Sequence, residues 1–158
     1  MSTTIRLAVE QDVDDLVAMG RDMHAESPRF RTMGFSETKV RRLLTMLQGT
    51  SPGLRGCMFV AERDGTLIGM ALAILDQHLF HDERFVTDLV VFIKPTHRPS
   101  RAFPRLIQAI ESWSIEQGAA SVILGVSTGV HVEQTLEMYG RMGYASAGCT
   151  LSKTLAGD

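Results

Sequence analysis

Only two cysteines, Cys57 and Cys149, occur in 158 residues. Neither their number nor their spacing makes a disulfide framework or a zinc site, so a reduced compartment is expected. A charge imbalance is missing too: 16 Lys and Arg stand against 18 Asp and Glu, a formal net charge of -2. That balance gives no reason to expect nucleic acid or an anionic membrane as partner. No apolar run approaches bilayer-spanning length, and the opening residues, MSTTIRLAVEQDVDDL, lack the basic-then-apolar order of a signal peptide. A soluble cytoplasmic protein is the expectation. Repeats, linkers and low-complexity segments are absent as well, and 158 residues suffice for one core, so a single domain over 1–158 is expected.

What is present is a hydrophobic period that changes along the chain. Ile5, Leu7 and Val9 alternate at period two and predict a first strand. A helix capped near Asp12 follows, with Val13, Leu16, Val17, Gly20 and Met23 at helical spacing, until Ser27-Pro28. Residues 28–35 read as a loop carrying Phe30 and Phe35. Ser36 caps a second helix whose stripe is Val40, Leu43, Leu44 and Leu47, with Arg41 and Arg42 on its solvated face. Met58 to Glu62 and Leu67 to Leu75 read as two strands about an Asp64-Gly65 hairpin turn, and Phe85 to Ile93 as a third. A helix entered at Ala102 carries Phe103, Leu106, Ile107, Ile110 and Trp113 before closing at Gln117-Gly118. Ser121 to Val126 is expected as a strand parallel to the third, then a helix over Val132 to Met142, then two last strands, Ala145 to Cys149 and Thr150 to Thr154. The order β-α-α-β-β-β-α-β-α-β-β, with one crossover, is an α+β or mixed α/β domain.

The stretch between the third strand and its helix carries the chemistry. Lys94-Pro95-Thr96-His97-Arg98-Pro99-Ser100-Arg101 is a cationic loop running into a helix N-terminus, where unpaired N–H groups and the dipole favour an anion. A phosphorylated ligand is expected there. Asp88 interrupts the apolar run Phe85, Val86, Leu89, Val90; a carboxylate so flanked is expected to have a raised pKa and to serve as a base, or else to tie down a neighbouring loop.

Ile93-Lys94-Pro95-Thr96-His97-Arg98-Pro99-Ser100-Arg101-Ala102-Phe103 resembles the signature of the GCN5-related N-acetyltransferase (GNAT) family: a strand, then x-Pro-x-x-Arg-Gly-x-Gly-x-Gly/Ala, then a helix. The later run Tyr139-Gly140-Arg141-Met142-Gly143-Tyr144 and the basic Lys153 are similar to further features of that family. The resemblance implies an acyl-CoA N-acyltransferase fold: a mostly antiparallel, twisted sheet with a central βαβ crossover and flanking helices. It implies acetyl-CoA as cosubstrate without a metal, its pantetheine along Val91, Phe92 and Ile93 and its pyrophosphate at Arg98, Pro99, Ser100, Arg101, Ala102 and Phe103. Pro99, Arg101 and Phe103 stand where the family has glycines; Pro99 removes one amide donor, which the side chains of Arg98, Arg101 and Ser100 would replace. By the same resemblance Tyr139 is the general acid beside the CoA sulfur, or simply a core aromatic with a wet hydroxyl, and Asp88 holds the place of a catalytic Glu.

The acceptor implied is a primary amine of a small molecule or peptide, with Met23, His24, Phe30, Phe35, His78 and Phe80 as candidate pocket residues. A homodimer is expected, as is common in the family. The alternative is a degenerate member acting as a CoA-binding or partner-binding module. Gly125-Val126-Ser127-Thr128-Gly129 matches a nucleophile elbow literally, but with His131 as the one histidine after it, it reads better as a strand-to-helix turn. His78-x-x-His81 is too sparse for a metal site.

Overall fold

The computed structural model describes residues 2–49 and 52–155. Its strands β1 (Thr3–Leu7), β2 (Arg55–Arg63), β3 (Thr66–Gln77), β4 (Arg84–Ile93) and β5 (Ser121–Ile123) form a five-stranded sheet in chain order. Neighbours are antiparallel except β4 and β5, which run parallel because α3 (Ala102–Glu116) carries the chain back between them. The remaining helices are α1 (Val13–Glu26), α2 (Glu37–Gln48) and α4 (Val132–Arg141).

Local chemistry accounts for several of these boundaries. Asp64 and Gly65 both have positive φ, 51° and 75°, which is what a two-residue hairpin turn demands, and Arg63 pairs with Thr66 across it. Ser36 caps α2, its Oγ accepting the Lys39 N–H at 3.3 Å. Asp12 does more than start a helix. Its buried carboxylate receives Arg6 Nη1 at 2.7 Å, Arg6 Nη2 at 3.0 Å and the Val9 N–H at 2.8 Å, closing the turn between β1 and α1. The Arg6 hydrogen bonds hold its pKa below the usual carboxylate range.

The core lies on both faces of the sheet. On one, Leu16, Val17 and Met19 of α1 and Leu44 and Leu47 of α2 cover Met58, Val60, Met70, Leu72 and Phe92. On the other, Ala102, Leu106 and Ile110 of α3 cover Cys57, Ala61, Ile68, Ala71, Ala73, Val86 and Ile93. The β3–β4 register slips between Leu72 and Ala73, leaving Leu89 unmatched, and this bulge sets Val86 and Val90 on opposite faces although they are four residues apart. Among the described residues no helix is long and apolar enough to cross a membrane.

Two expectations need correction. Residues 145–155 form neither helix nor strand and are exposed, so the strands expected at Ala145 to Cys149 and Thr150 to Thr154 are not formed. Their alternating side chains are small (Ala145, Ala147, Cys149), and Leu151 and Leu155 are 90% and 87% exposed, too little buried apolar area to offset the ordering of the backbone. Lys153 therefore lies in this exposed segment and in no strand. As a result the βαβ crossover ends at the edge of the described sheet instead of its centre. The second correction concerns β5, which stops at Ile123, short of the expected Val126.

Gly69 sits opposite Ile93, and a Cβ there would lie 2.7 Å from the Phe92 carbonyl oxygen and run into Ile93 Cδ1. We expect Gly69→Ala to destabilise by about 1–3 kcal/mol, because a ladder carbonyl cannot move aside as a side-chain tip can. Gly20, inside α1 with open space around its Cβ position, is the control; Gly20→Ala is expected to stabilise by about 0.5–1 kcal/mol. Urea unfolding midpoints of the two variants test both signs.

Candidate active site

β4 and β5 pair at only three positions, Phe85 with Ser121, Val86 with Val122 and Thr87 with Ile123. At the next step a side chain replaces the ladder: Asp88 Oδ1 accepts the Gly125 N–H at 2.8 Å. Beyond that hydrogen bond β5 has ended, and a cavity of about 590 Å³ opens beside β4. Leu89 to Ile93 line one wall, Gly125 to Thr128 and Tyr139 line another, and Met23, Glu26 and Phe30 close the end nearest α1.

The β4 wall presents backbone. Lys94 N–H donates to Ile68 O at 2.9 Å, so Lys94 faces β3, and by strand alternation so do Phe92 and Val90. Val91 and Ile93 therefore turn their N–H and C=O groups toward the side β5 has left. The Ile93 carbonyl already accepts Arg98 Nε at 2.7 Å.

At the start of α3, amide donors are few. Pro99 and Pro104 carry no N–H, and the Ala102 N–H donates to Ser100 Oγ at 3.1 Å. The Arg98–Pro99 peptide is cis. Arg98 is committed elsewhere: Nη1 and Nη2 pair with the two oxygens of Glu26, the second at 2.9 Å, and its guanidinium lies 5.2 Å from the Phe92 ring centroid.

Tyr139 is placed by the end of its helix. Gly143, with φ 94°, follows the last helical turn; its N–H donates to Gly140 O at 3.1 Å and the Tyr144 N–H to Tyr139 O at 3.0 Å, the bond pair of a Schellman motif. The contact between residues that accompanies this motif is Tyr144 on Tyr139, with ring centroids 5.6 Å apart. Phe103 packs against the same ring at 6.0 Å. The Tyr-x-x-x-Gly-Tyr run is thus a helix stop that presents one tyrosine ring. Tyr144 is held apart by its own hydroxyl, which donates to Glu111 at 2.8 Å.

Burial sets the protonation states. It pushes the Asp88 carboxyl above its ordinary value, opposed by the Gly125 N–H. It pushes the Tyr139 phenol up as well, and the nearby Asp88 charge adds to the shift. Cys57, buried between sheet and α3, is pushed up to about 12 and is no nucleophile.

Of the residues singled out from the sequence, Asp88, Val91, Phe92, Ile93, Arg98, Pro99, Ser100, Phe103, Tyr139, Met23 and Phe30 line the cavity. Arg101 instead precedes α3 and is exposed, and Ala102 is packed under α3 against the sheet. His24, one helical step round from Met23, sets its Nε2 2.9 Å from Met33 O and packs edge-on against Phe35, bracing the loop after α1. His78 stacks between His81 and Phe85, with centroids 4.5 and 4.6 Å away, and Phe80 is 92% exposed at the tip of the β3–β4 hairpin. Sequence reasoning missed Glu26, the segment Gly125 to Thr128, His131 just before α4, and Gln134, Thr135 and Met138 on the inner face of α4. The last three share a helix face with Tyr139, a signal that was available. The G-x-S-x-G segment is a turn pinned from outside: the hydroxyl of buried Ser27 donates to Thr128 O and accepts the Phe30 N–H at 3.1 Å.

A profile of the Acetyltransferase (GNAT) family matches residues 21–144. No curated protein matches. Among solved structures, a transcriptional regulator from Bacillus halodurans C-125 is 17% identical with a TM-score of 0.77, covering 98% of this chain and 100% of its own. AAC(6')-Iy, in complex with the bisubstrate analog CoA-S-monomethyl-acetylneamine, is 18% identical with a TM-score of 0.75 over 99% of each chain. A ribosomal-protein-alanine N-acetyltransferase from Brucella melitensis biovar Abortus 2308 is 14% identical with a TM-score of 0.74, over 98% of this chain and 100% of its own. Identities this low establish a shared fold, and that fold is the mixed α+β one expected from the sequence.

Asp88 makes a stability prediction with a definite sign. Its folded pKa is raised, so the folded protein favours the protonated acid, and stability falls as pH rises from the unfolded carboxylate value through the folded one. Asp88→Asn keeps an oxygen for the Gly125 N–H and removes the charge. We expect it to be more stable than the parent at pH 8, with the gap closing toward pH 4. A lower urea midpoint at pH 8 would show that the ionised carboxylate stabilises the fold instead.

Proposed function

Because the chain belongs to the GNAT family of acetyltransferases, we propose that it moves an acetyl group from acetyl-CoA to a primary amine, with Asp88 taking a proton and Tyr139 giving one. The observation that carries this reading is the fork at Asp88. It leaves the Val91 and Ile93 amide groups facing a cavity beside β4, and an extended amide-bearing arm such as pantetheine fits such an edge. The CoA analogue bound to AAC(6')-Iy, a chain of the same fold, supports the ligand class.

The fit at the phosphate end is thinner. The amides of Ser100 and Arg101 and the exposed Arg101 side chain remain to hold a pyrophosphate at the start of α3, whereas Pro99 and Pro104 add nothing and Arg98 faces Glu26. Affinity for CoA in this reading comes mainly from the β4 edge.

Acetyl-CoA, when bound, supplies an acyl group activated as a thioester. The protein's own groups do the rest. Asp88 Oδ1 is held by Gly125, which leaves Oδ2 to accept a proton from the amine directly or through water, and a raised pKa suits that task. Tyr139 keeps its proton at neutral pH and has it available for a departing thiolate. A backbone N–H of the β4 edge, such as that of Val91, serves the carbonyl oxygen. The free thiols Cys57 and Cys149 are compatible with a cytoplasmic setting.

Thiol release from acetyl-CoA in the presence of an amine, with calorimetric titration of CoA alongside, tests the reading. We expect Tyr139→Phe and Asp88→Asn each to lower kcat by about 10²-fold or more while CoA binding persists. The parent's kcat/KM should fall on the acid side as Asp88 protonates, at a pH above the ordinary carboxylate range. CoA binding with no thiol release for any amine would make the chain a CoA-binding module, and no binding of CoA would remove the ligand altogether.

A further inference from the structure

Resting on the transferase reading of the same cavity, we infer that the acceptor is a single amine carried on an apolar body and is not a polycation. The charges on the walls decide this. Among the described residues two carboxylates line the cavity, Glu26 and Asp88. Glu26 is already neutralised, because both of its oxygens are taken by the Arg98 guanidinium, the two side chains being 26% and 24% exposed. Asp88 is therefore the lining carboxylate without a cationic partner among the described residues, and its hydrogen bond comes from a neutral amide.

A further cation stands at the rim. The Arg29 guanidinium lies 5.2 Å from the Phe30 ring centroid, and its Nη1 is 3.4 Å from the Ser127 carbonyl; Phe30 and Ser127 both line the cavity. A ligand with several ammonium groups would meet one free carboxylate, one positive charge at the mouth, the mutually paired Arg98 and Glu26, the His131 imidazole, and otherwise polar neutral or apolar walls. Each ammonium without a partner would lose its hydration with nothing to offset it. The rest of the lining suits a different occupant: Met23, Phe30, Leu89, Val126, Val130 and Met138 bring thioether, aromatic and branched surface to one volume. A single ammonium beside Asp88 and an apolar body against this wall satisfies both.

The contrast with structures of the same fold is chemical. Three of them are named as aminoglycoside acetyltransferases, and an aminoglycoside carries several amines. Among the described residues the walls lack the carboxylates to receive such a molecule.

The test titrates phenethylamine and kanamycin A into the full chain, with and without CoA, and follows thiol release from acetyl-CoA with the same two amines. We expect phenethylamine to bind at least tenfold more tightly, Phe30→Ala to weaken it at least fivefold, and Arg29→Glu to narrow the gap by tightening kanamycin. Equal or tighter binding of kanamycin, a higher kcat/KM for kanamycin, or no binding of phenethylamine at millimolar concentration overturns the inference. Preferred binding of phenethylamine without thiol release upholds the ligand class and removes the transfer step, so the two readings fail separately.

Discussion

The hydrogen bond from the Gly125 amide to Asp88 decides what this sheet becomes. A parallel strand pair ordinarily continues until one chain turns away, and here it ends because a side chain takes the donor that a β4 carbonyl would have taken. Once Gly125 is held there, the following residues leave the sheet plane, and the β4 amides beyond Asp88 lose their neighbour. Cavity, backbone edge and buried carboxylate are three results of that one substitution of side chain for main chain. The arrangement has a cost, since aspartate is a poor strand residue and its charge is disfavoured where it sits. A group that burdens the fold while lining a cavity is the pattern expected of a functional residue.

The sequence showed most of the fold because its local signals are mechanical. Asp64-Gly65 turns the β2–β3 hairpin, Ser36 starts α2, and Gly143 stops α4, each by a backbone requirement that few other residues meet. It showed less of the site because the site is made by pairing across long separations. Arg98 and Glu26 lie 72 residues apart, and Ser27 reaches Thr128 across 101. Nothing in the local pattern of either partner announces the other. The run SVILGV looks like one buried strand, and only the position of Asp88 on a neighbouring strand cuts it at Ile123. The terminal segment misleads in the opposite way, since it alternates like a strand but carries too little apolar surface to be held as one.

The loop between β4 and α3 illustrates how a motif can keep its frame and change its chemistry. Residue for residue it lies where a glycine-rich anion cradle lies in the GNAT family, yet two prolines, a hydroxyl that caps an amide and an arginine bound to a glutamate leave fewer free donors. Its basic composition overstates its capacity to receive phosphate. Counting cations along a sequence measures charge; counting those without a partner in the fold measures what is left for a ligand.

The Schellman turn at the end of α4 has an implication for how this protein can change. Tyr139 is oriented by main-chain hydrogen bonds and by two aromatic rings outside the end wall near α1, and Asp88 by a main-chain amide. The wall that would meet an acceptor is drawn from other elements, Met23 and Phe30 at the end of α1 and Val126 and Val130 in the turn after β5. Asp88 and Tyr139 on one side and the apolar end wall on the other are thus held by different contacts within one cavity. Substitutions at Met23, Phe30 or Val130 can reshape the cavity surface while leaving Asp88 and Tyr139 in register, so the shape of the cavity can drift at a handful of loop and helix-end positions without disturbing its buried polar groups.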